Sequence, residues 1–151
     1  MAKTVALVVA AGRGRRFGGD LPKQYQSLAG RPVLRHALAR LAADPSVAAV
    51  RVVIHPDDLE LYHEAARGLA LLEPVFGGAT RQDSVRLGLE SLAELAPDTV
   101  LIHDGARPFL DEALVARVIG ALAGHDGAIP AIAVADTLKR GQGGLVETTV
   151  D

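Results

Sequence analysis

The stretch Thr4-Val5-Ala6-Leu7-Val8-Val9-Ala10-Ala11-Gly12-Arg13-Gly14-Arg15-Arg16-Phe17-Gly18-Gly19-Asp20-Leu21-Pro22-Lys23 decides how the rest of the chain is read. Thr4–Ala10 is Val-rich and continuously apolar after its threonine, the pattern of a strand covered on both faces. Glycine and arginine then take over. A doubly buried strand ending in a glycine-rich loop suggests the opening of an α/β sheet, and the downstream pattern agrees. Pro32 suits the first turn of a helix, and Leu34, Ala37, Leu38 and Leu41 follow at i, i+3, i+4 and i+7. Val47–Ile54 reads as a second strand. Asp57 and Asp58 are N-cap candidates for a helix through Leu69, with Leu59, Tyr62, Ala66 and Leu69 on its apolar face. Leu71–Phe76 reads as a short strand and Gly77-Gly78 as a tight turn. A helix over Thr80–Leu95 turns Val85, Gly88, Leu89 and Leu92 inward. Thr99–His103 is a further strand. Asp111 caps a helix with the stripe Val115, Val118, Ile119 and Leu122, and Gly127–Val134 reads as a fifth strand. Strands of about 4–8 residues alternating with helices of about 10–15 imply βαβ crossovers. The expected fold is a three-layer α/β domain over residues 1–135, with a mainly parallel sheet and Rossmann-like crossovers. Asp136–Arg140 and Leu145–Val150, on either side of Gly141-Gln142-Gly143-Gly144, read as a hairpin, so residues 136–151 are expected to begin a protruding C-terminal β-arm.

Composition narrows the function. The chain has 151 residues, a formal net charge of −2, 3% aromatic residues and no cysteine. That length suits one self-sufficient core. Without cysteine there is no disulfide framework, thiolate metal site or thiol nucleophile. Near-neutral charge and scarce aromatics argue against a nucleic-acid partner. Val5–Ala11, the longest apolar stretch, is too short to cross a bilayer, and no secretory signal is evident, so no membrane partner and a cytoplasmic location are expected. Charge is unevenly spread. The first 25 residues carry Lys3, Arg13, Arg15, Arg16 and Lys23 against Asp20 alone, a net of +4, which leaves −6 for the remainder of a chain at −2. A basic, glycine-rich loop on an acidic body points to a local anion site.

In an open α/β sheet, ligands bind outside the carboxyl ends of the strands. Polar or glycine-rich clusters follow the first strand (Gly12 to Lys23), the third (Gly77 to Ser84), the fourth (His103 to Arg107) and the fifth (Asp136 to Lys139). The first loop fails two familiar templates. A dinucleotide fingerprint starting at Gly12 needs glycine where Phe17 stands, and a P-loop from Gly12 or Gly14 lacks its Gly-Lys-Ser/Thr. The physical logic survives. Gly12 and Gly14 allow close backbone approach, and successive N–H groups can form an anion-binding nest. Small Ala10 and Ala11 leave room for a base or ribose. Arg16 offers a multidentate grip on phosphate oxygens and Lys23 a mobile point charge.

The segment Ala10 to Tyr25, A-A-G-x-G-x-R-(x)6-P-K-Q-Y, resembles the signature of glycosyltransferase-A-like nucleotidyltransferases, and within them the 2-C-methyl-D-erythritol 4-phosphate cytidylyltransferase family. Three further segments resemble that family in order and spacing: Gly77-Gly78-Ala79-Thr80-Arg81-Gln82-Asp83-Ser84-Val85, Ile102-His103-Asp104-Gly105-Ala106-Arg107-Pro108, and Asp136-Thr137-Leu138-Lys139. The resemblance implies that a substrate phosphate attacks the α-phosphorus of CTP and expels pyrophosphate. It implies Arg16 and Lys23 as catalytic stabilisers of the transition state. It assigns Ala10, Ala11, Gly12, Gly14, Gly78, Ser84, Asp104 and Gly105 to the nucleotide, and Arg107 and Thr137 to the acceptor. It further implies Mg²⁺ beside Asp104 and a homodimer formed through the 136–150 arm.

Two positions depart from the family pattern: Ala79 stands where an acidic residue is frequent, and Gly105 where alanine is usual. Family members continue past Asp151 with an arginine and a later lysine for the substrate phosphate, so this chain is expected to hold the CTP half, and some relatives are fused to a cyclase. Alternatives stay open at this level: ribitol-5-phosphate cytidylyltransferase, or a CTP-binding fragment without turnover. The five histidines show no zincin spacing, and no G-x-S-x-G supports a serine nucleophile. His103 is expected to be a packed strand-end residue.

Overall fold

A computed structural model of the chain describes residues 2–13 and 21–150. The chain divides into two compact units, Met1–Ala116 and Arg117–Asp151.

The first unit is built on β1 (Thr4–Ala10), the strand expected from the opening residues. A short antiparallel pair, β2 (Ser27–Leu28) and β3 (Arg31–Pro32), leads into α1 (Val33–Ala43). Then come β4 (Ala49–Ile54), α2 (Leu59–Ala66), β5 (Val75–Phe76), α3 (Arg81–Glu90) and β6 (Thr99–Asp104). The four main strands form one sheet in the order β5-β4-β1-β6. All its pairings are parallel: Val5 faces Ala49, Thr4 faces Thr99, and Val53 faces Val75.

Alternation along β1 sends side chains to both faces. On one face Val5 and Leu7 join Val53 and Leu92 in a buried cluster. Gly88 of α3 lies directly on it: a Cβ there would come within 2.7 Å of Leu7 and 2.8 Å of Val53. On the other face Ala10 approaches Leu34 of α1, and Leu34, Ala37, Leu38 and Leu41 are all buried. Helices therefore cover both faces of a parallel sheet, as the alternating pattern predicted.

Several expectations need correction. The second strand begins at Ala49, not Val47. Of Leu71–Phe76, only Val75 and Phe76 join the ladder. The helix expected from Asp57 to Leu69 is a 3₁₀ turn, Pro56–Asp58, followed by α2, whose buried face is Tyr62 and Ala65. Asp58 stands at the N-cap of α2 without bonding its N–H groups, because its carboxylate is turned inward to Arg13. The cap of α3 is a full capping box between Thr80 and Asp83. That helix ends at Glu90, and a separate 3₁₀ turn spans Ala93–Leu95. Its buried residues are Ser84 and Gly88, while Leu89 is 39% exposed. The helix rolls so that its smallest residue meets the sheet.

α4 (Glu112–Gly120) runs across the division between the units. Asp111 caps it as expected, its Oδ1 accepting from the Leu114 N–H at 2.7 Å. In the second unit, Gly127–Val134 is not a strand, and Ile129, Ile132 and Val134 are exposed. Its composition favours extended chain, but a strand exists only through ladder pairing, and this segment has none. The hairpin does form: β7 (Leu138–Gln142) pairs antiparallel with β8 (Leu145–Val150), with an irregularity between Arg140 and Gly141. Gly143 (φ 59°) and Gly144 (φ 82°) make the two-residue connection. Two successive positive φ values define the mirror-image turn that matches strand twist, and glycine adopts them without a Cβ penalty.

Candidate active site

The strand order sets the position of the site. From β1 the chain steps outward to β4 and β5, then returns to lay β6 on β1's other side. Strand order reverses between β1 and β6, and such a switch point opens a crevice at the strands' carboxyl ends. A cleft of about 450 Å³ lies there. Ala10 and Gly12 from the end of β1, Lys23 from the following turn, and Asp104 and Arg107 from the end of β6 all line it. Five of the sequence-predicted residues are thus brought together. Gly14 and Arg16 lie outside the described residues, and Thr137 belongs to the second unit.

The electrostatic centre of the cleft is Asp104. Arg81, first residue of α3, donates to its Oδ1 from Nη2 at 2.8 Å and from Nε at 3.3 Å. Arg107 donates from Nε to Oδ2 at 3.0 Å. Burial pushes the Asp104 carboxyl up, but the hydrogen bond and charge of Arg81, with the charge of Arg107, outweigh it and hold the pKa below the usual carboxylate value. Both Asp104 oxygens therefore accept from guanidinium groups. Among the described residues, no group of three or more His, Cys, Asp or Glu side chains could hold a metal ion. Among the described residues, the cleft gathers three cations, Lys23, Arg81 and Arg107, beside one carboxylate, and suits a polyanion.

Gly78 and Ser84 are joined to each other. The buried Ser84 Oγ accepts from the Gly78 N–H at 3.2 Å and donates to the Thr80 carbonyl at 3.0 Å. Both glycines of the turn are sterically required, since a Cβ on Gly77 would meet Ala11 and Ser84, and one on Gly78 would meet Asp83. Gly105 is set by packing: a Cβ there would come within 2.9 Å of Leu34 and 3.0 Å of Ala10. His103 is half-buried, with Nε2 3.0 Å from the Arg107 carbonyl, as a strand-end residue should be.

Arg13, counted with the basic loop, is committed elsewhere: its Nη1 bonds the buried Asp58 at 2.6 Å. Sequence reasoning passed over two residues that line the cleft, Arg81 and Gln24. Both stand inside the quoted family segments, and that was the available signal.

A family model described as IspD, 2-C-methyl-D-erythritol 4-phosphate cytidylyltransferase, matches residues 4–151. The chain belongs to this cytidylyltransferase family. It is 72% identical over 152 residues to a bifunctional enzyme IspD/IspF of Rhodospirillum rubrum, covering 100% of this chain and 40% of that protein. The bifunctional enzyme IspD/IspF of Paramagnetospirillum magneticum is also 72% identical, with 39% of its length covered. The chain thus spans about two fifths of these curated relatives. Among solved structures of the cytidylyltransferase family, the 4-diphosphocytidyl-2C-methyl-D-erythritol synthase of Anaerococcus prevotii superposes with a TM-score of 0.81 at 29% identity, covering 99% of this chain and 64% of that one. The enzyme of Thermus thermophilus gives 0.69 at 34% identity, with 99% and 64% covered.

Proposed function

We propose that this chain transfers CMP from CTP to 2-C-methyl-D-erythritol 4-phosphate, releasing pyrophosphate, in non-mevalonate isoprenoid precursor synthesis. The observation that carries this reading is the cation-lined cleft at the β1/β6 switch point in a chain of this family. An oxygen of the acceptor phosphate attacks the α-phosphorus of CTP. One P–O bond forms, the bond to the α,β-bridging oxygen breaks, and its electron pair leaves with pyrophosphate. The nucleophile is already ionised, so no general base is required, and catalysis reduces to positioning and charge stabilisation.

Lys23 follows the departing charge as a mobile cation, with Arg16 sharing the role on sequence grounds. Main-chain groups of Ala10, Ala11, Gly12 and Gly14 take the nucleotide, Gly78 and Ser84 the cytosine, Gly105 borders the ribose, and Asp104 lies beside the nucleotide and the substrate. Arg107 and Thr137 serve the acceptor phosphate. Mg²⁺ would be held beside Asp104, where it would neutralise charge on the triphosphate. Residues 1–135 act as the nucleotide-binding region. The arm at 136–150 forms a homodimer, since the hairpin exposes Leu138, Leu145, Val146 and Val150. The location is cytoplasmic; among the described residues no helix is long and apolar enough to cross a membrane.

The test is pyrophosphate release from Mg–CTP with each candidate acceptor, alongside calorimetry. Release dependent on methylerythritol phosphate supports the proposal. Faster release with ribitol 5-phosphate would reassign the acceptor, and CTP binding without release would leave a non-catalytic binding module.

A further inference from the structure

Gln24 carries none of the roles above, yet its side chain is buried and hydrogen-bonded twice in the cleft wall. It is only 4% exposed. Its Nε2 donates to the Ala10 carbonyl at 2.7 Å and to the Gly12 carbonyl at 2.9 Å. Two carbonyl acceptors require an NH₂ at this position, so the amide has one possible orientation. Both of its protons are spent on the strand end and on the first glycine of the loop.

In a planar trans peptide the C=O and N–H point in opposite directions. Holding the carbonyl oxygens of Ala10 and Gly12 against Gln24 therefore turns the N–H groups of Ala11 and Arg13 away from it, both in the same sense. Left alone, a glycine-containing segment samples many peptide orientations, and a ligand would have to order them on binding.

We propose that Gln24 is a positioning residue that presets the Ala11 and Arg13 amides as paired donors for oxygen atoms of the bound nucleotide. This rests on the reading of the cleft as a CTP site. Gln24 is two residues from Pro22 and adjacent to Lys23, so the same short turn supplies the cation and fixes the backbone it works beside.

A presetting role is uniform binding energy, which is lost from KM more than from kcat. In the intact protein, Gln24→Glu keeps the shape but turns a carboxylate oxygen toward two carbonyl oxygens. The expected result is a CTP KM raised about tenfold or more, with a clearly smaller loss of kcat. A merely structural role would do the reverse, lowering kcat through loss of folded enzyme at unchanged KM, and that outcome overturns the proposal. Amide hydrogen exchange on the unmutated protein gives a second reading if the variant fails to fold. Addition of CTP should slow exchange at Ala11 and Arg13. If CTP binds and neither amide responds, the proposal is wrong while the CTP site stands. If the unmutated protein binds no CTP, the proposed function fails first.

Discussion

Replacing Arg81 with alanine separates turnover from stability more cleanly than any other change in the cleft. Its guanidinium bonds Asp104 Oδ1 twice, but the side chain is 63% exposed and Asp104 is 36% exposed. An ion pair this wet is worth about 0–1 kcal/mol. A cation in the first turn of a helix also opposes the helix dipole by about 0.3–1 kcal/mol, so its removal returns part of that. The Thr80–Asp83 capping box is untouched. Net stability should change by less than about 0.5 kcal/mol. Turnover is another matter. Among the described residues the cleft falls from three cations against one carboxylate to two against one, and in the proposed reaction that charge would neutralise the departing pyrophosphate. Removing one preplaced donor costs about 10²–10³ in rate, and partial exposure favours the lower end, about 100-fold or 2.7 kcal/mol. Arg81→Lys should recover part of this, keeping the charge but losing the planar fork. The assays are pyrophosphate release at saturating CTP and a thermal melt of each variant. A variant within threefold of the parent in kcat/KM would refute the charge role. So would a rate loss accompanied by a melting point lowered by more than a few degrees.

Three other outcomes follow from the packing and the charges. Leu34→Ala removes a fully buried side chain from beneath Ala10 and Gly105 and should destabilise by about 2–5 kcal/mol, read by urea denaturation. Gly88→Val should be worse than the helix-favouring Gly88→Ala, because each added methyl drives further into Leu7 and Val53; overpacking of about 1–3 kcal/mol outweighs the gain of about 1 kcal/mol in helix propensity. Asp104 has a depressed pKa, so its ion pairs stabilise the fold above the ordinary carboxylate range and are lost as pH falls through the lower folded value. Asp104→Asn should therefore be less stable than the parent at neutral pH, and acid melts should show the difference vanishing once the pH has fallen below the ordinary carboxylate range.

How much of this was readable from the sequence depends on what kind of physics set each feature. β1 was legible to the residue because seven consecutive positions obey one constraint, burial on both faces. The stripe of α1 was legible because Leu34, Ala37, Leu38 and Leu41 share a face at any helix rotation. The face of α3 was read one position off at Leu89, because close approach at Gly88 set its roll, and a glycine adds nothing to a hydrophobic stripe. Gly127–Val134 was misread because strand character belongs to a pair, and no partner can be seen in one segment. In the site, Lys23 and Asp104 announced themselves by position after a strand. Asp104's engagement by Arg81 did not, since residues 23 apart in sequence meet only once β1 and β6 are adjacent. Asp58 looked like a helix cap because the residue type fits. Its burial against Arg13 is a tertiary fact with no local signature.

The insertion order of the sheet has a consequence in time. Thr4 pairs with Thr99, so the wall carrying Asp104 and Arg107 reaches β1 only by closing nearly the whole first unit. Long-range parallel pairing of this kind is slow. A refolding chain can complete the β1–β4 ladder and bury Leu34 and Leu38 while its crevice still has one side. Recovered catalysis would then trail recovered compactness, and enzyme activity becomes a clock for the last strand to arrive.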